Sequence, residues 1–311
     1  MIAIFLKTVP FFALIALGYF AGRTRFFTAD ATAYLTKFVF YFALSAMLFN
    51  FAANLTLAEI FDWRFITAYL WGCGIVYLIA TAVGFLRGLP VTESAVEAQC
   101  AIIGNVGFLG IPMFILLLGP DSAGPMLMIL ATDLIVFSSL IVVLITGSRE
   151  GRVTLRTLRT VAVGLAKNPM IVSITLGILW SATGRTLWTP INEFLAILGA
   201  AATPGALFAI GASLAGKTAE RLSVAGWLTF CKLVLHPAAV ALSALYIFPV
   251  ADPFAVTVMV SAAAMPVAGN VYMLAQHYGV APQRVSAAIL VSTAVSIVTL
   301  SLVIALMTGG T

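Results

Sequence analysis

The sequence predicts an all-α integral membrane protein: ten transmembrane helices in a five-plus-five inverted repeat, with the fourth and ninth helices broken and crossing. Three observations predict it. The 311-residue chain is 62% hydrophobic and 9% charged, with a mean hydropathy of +1.12, whereas soluble domains run near a quarter charged. Apolar stretches close to the ~20 residues that cross a hydrocarbon core recur ten times. A basic stretch divides them five and five, and a cluster of glycine, proline and asparagine interrupts the fourth span and again the ninth.

The expected spans are residues 3–22, 31–53, 65–87, 95–118, 125–147, 169–184, 191–216, 223–249, 254–277 and 283–308. The first is a retained helix and not a cleaved leader, because Arg23 and Arg25 follow its apolar run and no small-residue cleavage site stands out. In the second, Lys37 lies close enough to the start to snorkel. The third (Phe65–Leu86) and the tenth (Val285–Thr308) carry no charge. Glu97 and Gln99 stand at the entrance of the fourth, Glu97 as an interfacial or gating group. The fifth holds Asp133 in LATDLIVF, and the eighth holds Lys232 and His236. The sixth, PMIVSITLGILWSATG, is short and leans on its flanks. Trp63, Trp180, Trp188 and Trp227 fall near span ends, as interfacial anchors do. The chain thus divides into a first five-helix repeat (1–147), a cytoplasmic linker (148–168) and a second repeat (169–311).

Orientation follows from basic residues in the loops. Loops after odd-numbered spans hold eleven: Arg23, Arg25, Arg87, Arg149, Arg152, Arg156, Arg159, Lys167, Lys217, Arg221 and Arg284. The alternate loops hold only Arg64 and Arg185. The odd loops are therefore expected in the cytoplasm and both termini outside, in a cell inner (cytoplasmic) membrane. This bias, with anionic membrane lipid on the cytoplasmic leaflet, accounts for the net charge of +5 without a nucleic-acid partner. The linker SREGRVTLRTLRTVAVGLAKN reads as a solvated or interfacial connection, or alternatively as a regulatory site. Cys73, Cys100 and Cys231 all lie in apolar spans and lack metal-ligand spacing, so they read as small core residues. No nucleophile elbow, HExxH or phosphate loop occurs, and neither an enzyme nor a resident cofactor or metal is expected.

Function is carried by the two interruptions. GNVGFLGIPMF (104–114) places three glycines, a proline and Asn105 inside an apolar run, and SAAAMPVAGNVYMLAQHY (261–278) places Pro266, Gly269 and Asn270 at the middle of another. Two five-span units in series must insert with opposite orientations, which is the plan of many secondary transporters, with discontinuous helices at the binding site. Proline removes a donor, and glycine lets backbone unwind or approach closely. Freed backbone groups cannot face lipid and must line a cavity. Half-helix N-termini favour anions, and each asparagine adds a neutral donor and acceptor. A small anion is the expected occupant, held by Asn105, Gly107, Gly110, Pro112, Pro266, Gly269 and Asn270.

At these residues the chain resembles the auxin efflux carrier family. NVGFLGIP (105–112) is similar to that family's asparagine-to-GIP motif, and MPVAGNVYMLAQHYGV (265–280) to its ninth-span signature. TKFVFYFAL, KNPMIVSITLG, PGALFAIGASLA and KLVLHP match in order across nearly the whole chain. The short linker is that of a bacterial-type member. The resemblance implies the ten-helix fold shared with bile acid/sodium symporters and related antiporters. It implies a scaffold of spans 1, 2, 6 and 7 that dimerises, and a transport domain of spans 3–5 and 8–10 that moves like an elevator. Pro112 and Pro266 would be the crossing prolines, with Asn105 and Asn270 facing substrate. Ser45 departs from the family's usual proline, so a kink in the second span is not implied.

Ionisable residues inside a membrane are expensive and usually functional. Asp133 and Lys232 form a neutralising pair, or Asp133 binds a coupling proton or sodium ion with Lys232 and His236 nearby. The reading is a secondary transporter of small organic anions, mono- or dicarboxylates. The alternatives are a cation/proton antiporter, which needs acids at the crossover, and an ion channel, which needs a continuous wet path.

Overall fold

The computed structural model describes residues 2–56, 62–152, 154–216 and 222–309. Lys217 and Arg221, two of the basic residues expected in cytoplasmic loops, lie outside the described residues. Among those described, the chain is helical throughout. The helices are α1 (Ile2–Arg23), α2 (Ala29–Asn54), α3 (Trp63–Leu86), α4 (Val91–Ile102), α5 (Val106–Leu118), α6 (Pro120–Glu150) and α7 (Leu155–Lys167). They continue as α8 (Pro169–Ser181), α9 (Thr189–Leu214), α10 (Leu222–Ile247), α11 (Pro253–Ala263), α12 (Gly269–Tyr278) and α13 (Pro282–Met307).

Helix starts follow local chemistry. Asp62 accepts from the amides of Arg64 and Phe65 to cap α3, Asn168 from Met170 and Ile171 to cap α8, and Asp252 from Phe254 to cap α11. Each satisfies amides that the first turn leaves unpaired.

Six helices are long and apolar enough to cross a membrane: α2, α3, α6, α9, α10 and α13. The pair α7 and α8, bent by 68°, makes a seventh if it counts as one span. The described part of α1, together with α5 and α11, is apolar but shorter. Among the described residues six continuous spans, or seven with the bent pair, therefore stand where sequence hydropathy predicts ten. Hydropathy reads through helix breaks, and the fourth and ninth expected spans are each two helices. Most of the expected linker is α7, an amphipathic helix closed at its start by a reciprocal Thr154–Thr157 box.

Packing sorts the helices into two groups. α1 lies along α9 at very close range: a Cβ at Gly211 would stand 1.9 Å from Ile15 O, and one at Gly18 would stand 2.1 Å from Phe208 O. Gly18 and Gly22, four apart, make the small-residue groove that lets apolar helices approach where no hydrophobic effect drives them together. α2 packs on α8 and α9, with Asn50 Nδ2 donating to Asn192 Oδ1 at 2.9 Å. In the other group, α3, α4, α6, α10, α11 and α13 pack around the two breaks. A buried Thr8–Ser301 hydrogen bond of 2.9 Å joins the first helix to the last.

Five stretches widen into π-helical turns: Val39–Ala43, Val106–Gly110, Asp133–Phe137, Cys231–Leu235 and Ser243–Ile247. Such turns leave carbonyls poorly served and gather at functional positions. Two are answered by a serine five residues on: Ser45 Oγ donates to Phe40 O at 3.0 Å and Ser138 Oγ to Asp133 O at 3.2 Å. Ser45 thus accompanies a widened turn in α2.

Candidate functional site

The two interruptions meet where both chains are unwound. Residues 103–105, between α4 and α5, run antiparallel to residues 266–268, between α11 and α12. The Asn105 amide donates to Pro266 O at 2.8 Å and the Ala268 amide donates to Ile103 O at 3.0 Å, bridging Gly104 and Val267. The Val267 amide turns the other way and donates to Ser292 Oγ on α13 at 3.1 Å. Backbone groups released from both helices are therefore paired with one another or with α13, as an apolar surround demands.

Gly104 makes this approach possible. A Cβ there would sit 3.2 Å from Met265 Cβ, 3.3 Å from Lys232 Nζ and 3.4 Å from Ala262 O. Gly107 and Gly110, the glycines singled out in the sequence, instead face the ends of methionine side chains, Met170 Cε at 3.2 Å and Met126 Cε at 2.7 Å. Pro266 stands at the crossing, its carbonyl in the bridge. Pro112 does not: it lies in the first turn of the α-helical stretch Ile111–Leu118, beyond the π-helical turn.

Above the crossing lies a cavity of about 530 Å³. Asn105, Asn270, Gly269 and Gly107 line it with Asp133, and so do Phe40 and Phe108, whose rings stack 6.0 Å apart. Ser138, Ser139, Thr160 and Asn168 add hydroxyl and amide groups, His277 an imidazole, and no lysine or arginine lines it among the described residues. Three of its side chains carry a buried polar atom without a partner: Asn270 Oδ1, Ser139 Oγ and Asp133 Oδ2. Buried polar atoms in folded proteins are normally satisfied, so these three mark a place for something polar. The asparagine amide can turn to present either donor or acceptor. α12 begins at Gly269 with no side-chain cap at Ala268, so the donor end of a ten-residue helix opens into the cavity.

Behind the crossing sits a second polar cluster. Tyr69 on α3 donates to Asp133 Oδ1 at 2.9 Å. Lys232 Nζ, wholly buried, donates to Ala263 O at the C-terminal end of α11 and lies 3.1 Å from His236 Nδ1. His236 Nε2 in turn contacts Cys73 Sγ at 3.1 Å. The ammonium thus rests on the negative end of a half-helix dipole, a favourable place for a cation. Among the described residues Asp133 and Lys232 form no ion pair, so the expected neutralising pair is not a direct one. Glu97 is 1% exposed, is held by Arg87 at 2.6 Å and Arg284 at 3.0 Å, and ties α4 to the end of α3 and the start of α13.

Sequence reasoning missed Gly104, Tyr69, Cys73 and Ser292. Gly104 was visible as one of three glycines in the motif. The other three sit in apolar spans with nothing in their pattern to separate them from core.

A profile described as membrane transport protein matches residues 3–304. A Rhizobium meliloti (strain 1021) protein named "Putative malonate transporter" is 30% identical over 308 residues, covering 97% of this chain and 95% of that one. An Escherichia coli (strain K12) protein named "Uncharacterized transporter YfdV" is 26% identical over 304 residues, covering 94% and 93%. With nearly the whole chain matched, and with motifs that resemble auxin efflux carriers meeting at one cavity, the protein belongs to the membrane transport protein family.

Proposed function

We infer that the protein is a secondary carrier of small organic anions, with mono- or dicarboxylates as its substrates. One observation carries this reading: two unwound helices pair at the floor of a 530 Å³ cavity that receives Asn105, Asn270 and the uncapped start of α12. A carboxylate placed there meets amide donors and a positive dipole end in a largely apolar chamber, where such groups act strongly. The relative named for malonate supports a carboxylate. Among the described residues no lysine or arginine lines the cavity, which favours one carboxylate at the crossing, with the remainder of the substrate among Phe40, Phe108 and the cavity's hydroxyl groups.

The wider mechanism follows. Counting each broken helix pair as one span gives ten spans in two inverted halves, 1–147 and 169–311, with both termini on the outer side of a cytoplasmic membrane. The group formed by α1, α2, α8 and α9 is the scaffold and the surface of a homodimer. The group around the breaks is the moving domain of an elevator, which carries the site across. Asp133, with Lys232 and His236 behind the crossing, holds the coupling cation, a proton or sodium ion. Asp133 lines the same cavity as the anion, and an ionised carboxylate repels a carboxylate substrate. Loading of Asp133 with a cation therefore favours loading of the anion.

A melting-temperature screen of the purified protein against malonate, other dicarboxylates and monocarboxylates, with and without sodium at two pH values, tests this. Ligand bound to the folded state raises the melting temperature by mass action. The expected result is a carboxylate-dependent rise that is lost in Asn270→Ala and strengthened by acid or sodium. A rise with sodium or pH alone, and none with any carboxylate, would replace this reading with a cation/proton antiporter. Ohmic flux without counterflow in vesicles would replace it with a channel.

A further inference from the structure

One wall of the cavity is α7, and its surface divides into three flanks by helical spacing. Thr157, Thr160, Val161 and Gly164, at three- and four-residue intervals, turn inward. Thr160, Val161 and Gly164 line the cavity, and Thr157 is the buried residue of the helix. Leu155, Leu158 and Ala162 form a second, exposed flank, with Leu155 83% and Leu158 54% exposed. Arg156 and Arg159, with Lys167 two turns on, form the third, and Arg152 lies just before the helix.

The charge on this segment is one-sided. Between Ser148 and Asn168 there are five basic residues and one acid, Glu150, and Thr154 Oγ1 donates to that acid at 3.2 Å. Arg149 is engaged with Tyr278 O at the end of α12. The remaining four basic side chains form no ion pair among the described residues. α7 meets α8 at 68°, so if α8 runs through the bilayer α7 lies nearer its plane.

We propose that α7 is an interfacial helix that docks on anionic lipid: Arg156, Arg159 and Lys167 engage the headgroups, with Arg152 just before the helix, Leu155, Leu158 and Ala162 enter the acyl boundary, and the threonine-containing flank thereby walls the cavity. An exposed leucine flank beside a basic flank, with the opposite side turned to the protein, is the composition that lies on a membrane surface. Anionic headgroups supply the complementary charge, and their attraction for each basic residue fades with salt. The inference rests on the membrane reading and on no particular substrate.

The test uses the full chain with Leu158→Cys, labelled with bimane. Cys73, Cys100 and Cys231 are all buried, so the introduced thiol is the accessible one. The labelled protein is placed in nanodiscs of phosphatidylcholine alone or with about 30 mol% phosphatidylglycerol. The anionic discs are expected to shift the emission to the blue and to reduce iodide quenching about twofold, and about 0.5 M salt to erase the difference. Arg156→Gln/Arg159→Gln is expected to give the neutral-disc signal in both lipids, with an unchanged melting temperature. Equal quenching in the two discs overturns the proposal, whether the label is shielded in both by protein or open to water in both. If the double variant does not fold, the lipid and salt comparison on the arginine-containing protein decides alone.

Discussion

The two breaks solve one problem in different ways. In the first, α5 starts in a turn that folds back on itself: the amides of Leu109 and Gly110 both donate to Asn105 O, at 3.1 and 2.9 Å, and the Val106 amide donates to Gly104 O at 2.8 Å. Its donors are largely consumed. In the second, α12 starts uncapped at Gly269, which is exposed, and where a Cβ would meet nothing within 4 Å. The first break supplies the close contact through Gly104 and a buried Asn105, and the second supplies the open donor end and Asn270. Related sequence defects thus divide the labour between holding the crossing and opening a helix start into the cavity.

That contrast can be broken at its strongest point first. Gly104→Val drives a branched side chain into Met265, Lys232 and Ala262 and is expected to destabilise the fold by about 3 kcal/mol, read as a lower midpoint of unfolding. The equivalent test at the second break, Gly269→Ala, is expected to leave the midpoint within about 0.5 kcal/mol, because the site is open and alanine favours a helix. Equal effects at the two glycines would erase the distinction. Next in size, Asn270→Ala is expected to weaken malonate binding by about 10- to 100-fold with little change in melting temperature, the range for one hydrogen bond to a charged group. Asn105→Ala also loses binding; normal binding in both variants would move the site elsewhere. Ser292→Ala removes the acceptor of the buried Val267 amide and is expected to lower stability by about 1–2 kcal/mol without a first-order effect on ligand affinity. The smallest change is Ser45→Ala, about 0.5–1 kcal/mol by denaturant titration, since the Phe40 carbonyl it serves can find other partners.

Much of this division was out of reach of the sequence. That spans four and nine are interrupted was legible, because proline, glycine and asparagine cannot sit quietly in an apolar helix. That Asn105 and Asn270 share a cavity was legible from the repeat. Which of three glycines touches the other chain was not, since closeness depends on the angle at which distant segments meet. The direct Asp133–Lys232 pair was a fair expectation from charge alone. It gave way because Lys232 Nζ found the carbonyl end of α11, an acceptor that exists only once that helix has been cut short. The number of spans was blurred by the same cause: a length rule counts continuous helices, while the functional helices are discontinuous. The linker's helix was legible in the three- and four-residue spacing of LRTLRTVAVGLAK, but its charge drew the reading towards a loop.

The bridge between Gly104 and Val267 also fixes an order of events during synthesis. Roughly 160 residues separate the strands that it joins, so closing them carries a large loop entropy and a high contact order. Until the later segment leaves the ribosome and inserts, Ile103 O and the Asn105 amide have no partner at that depth, a state that hydrocarbon penalises heavily. The early half cannot satisfy these groups by itself, so the crossing can be completed only after the second half has been made. A chain truncated before Pro266 loses more than a few helices: it leaves Ile103 O and the Asn105 amide without their partners at the centre of those already made.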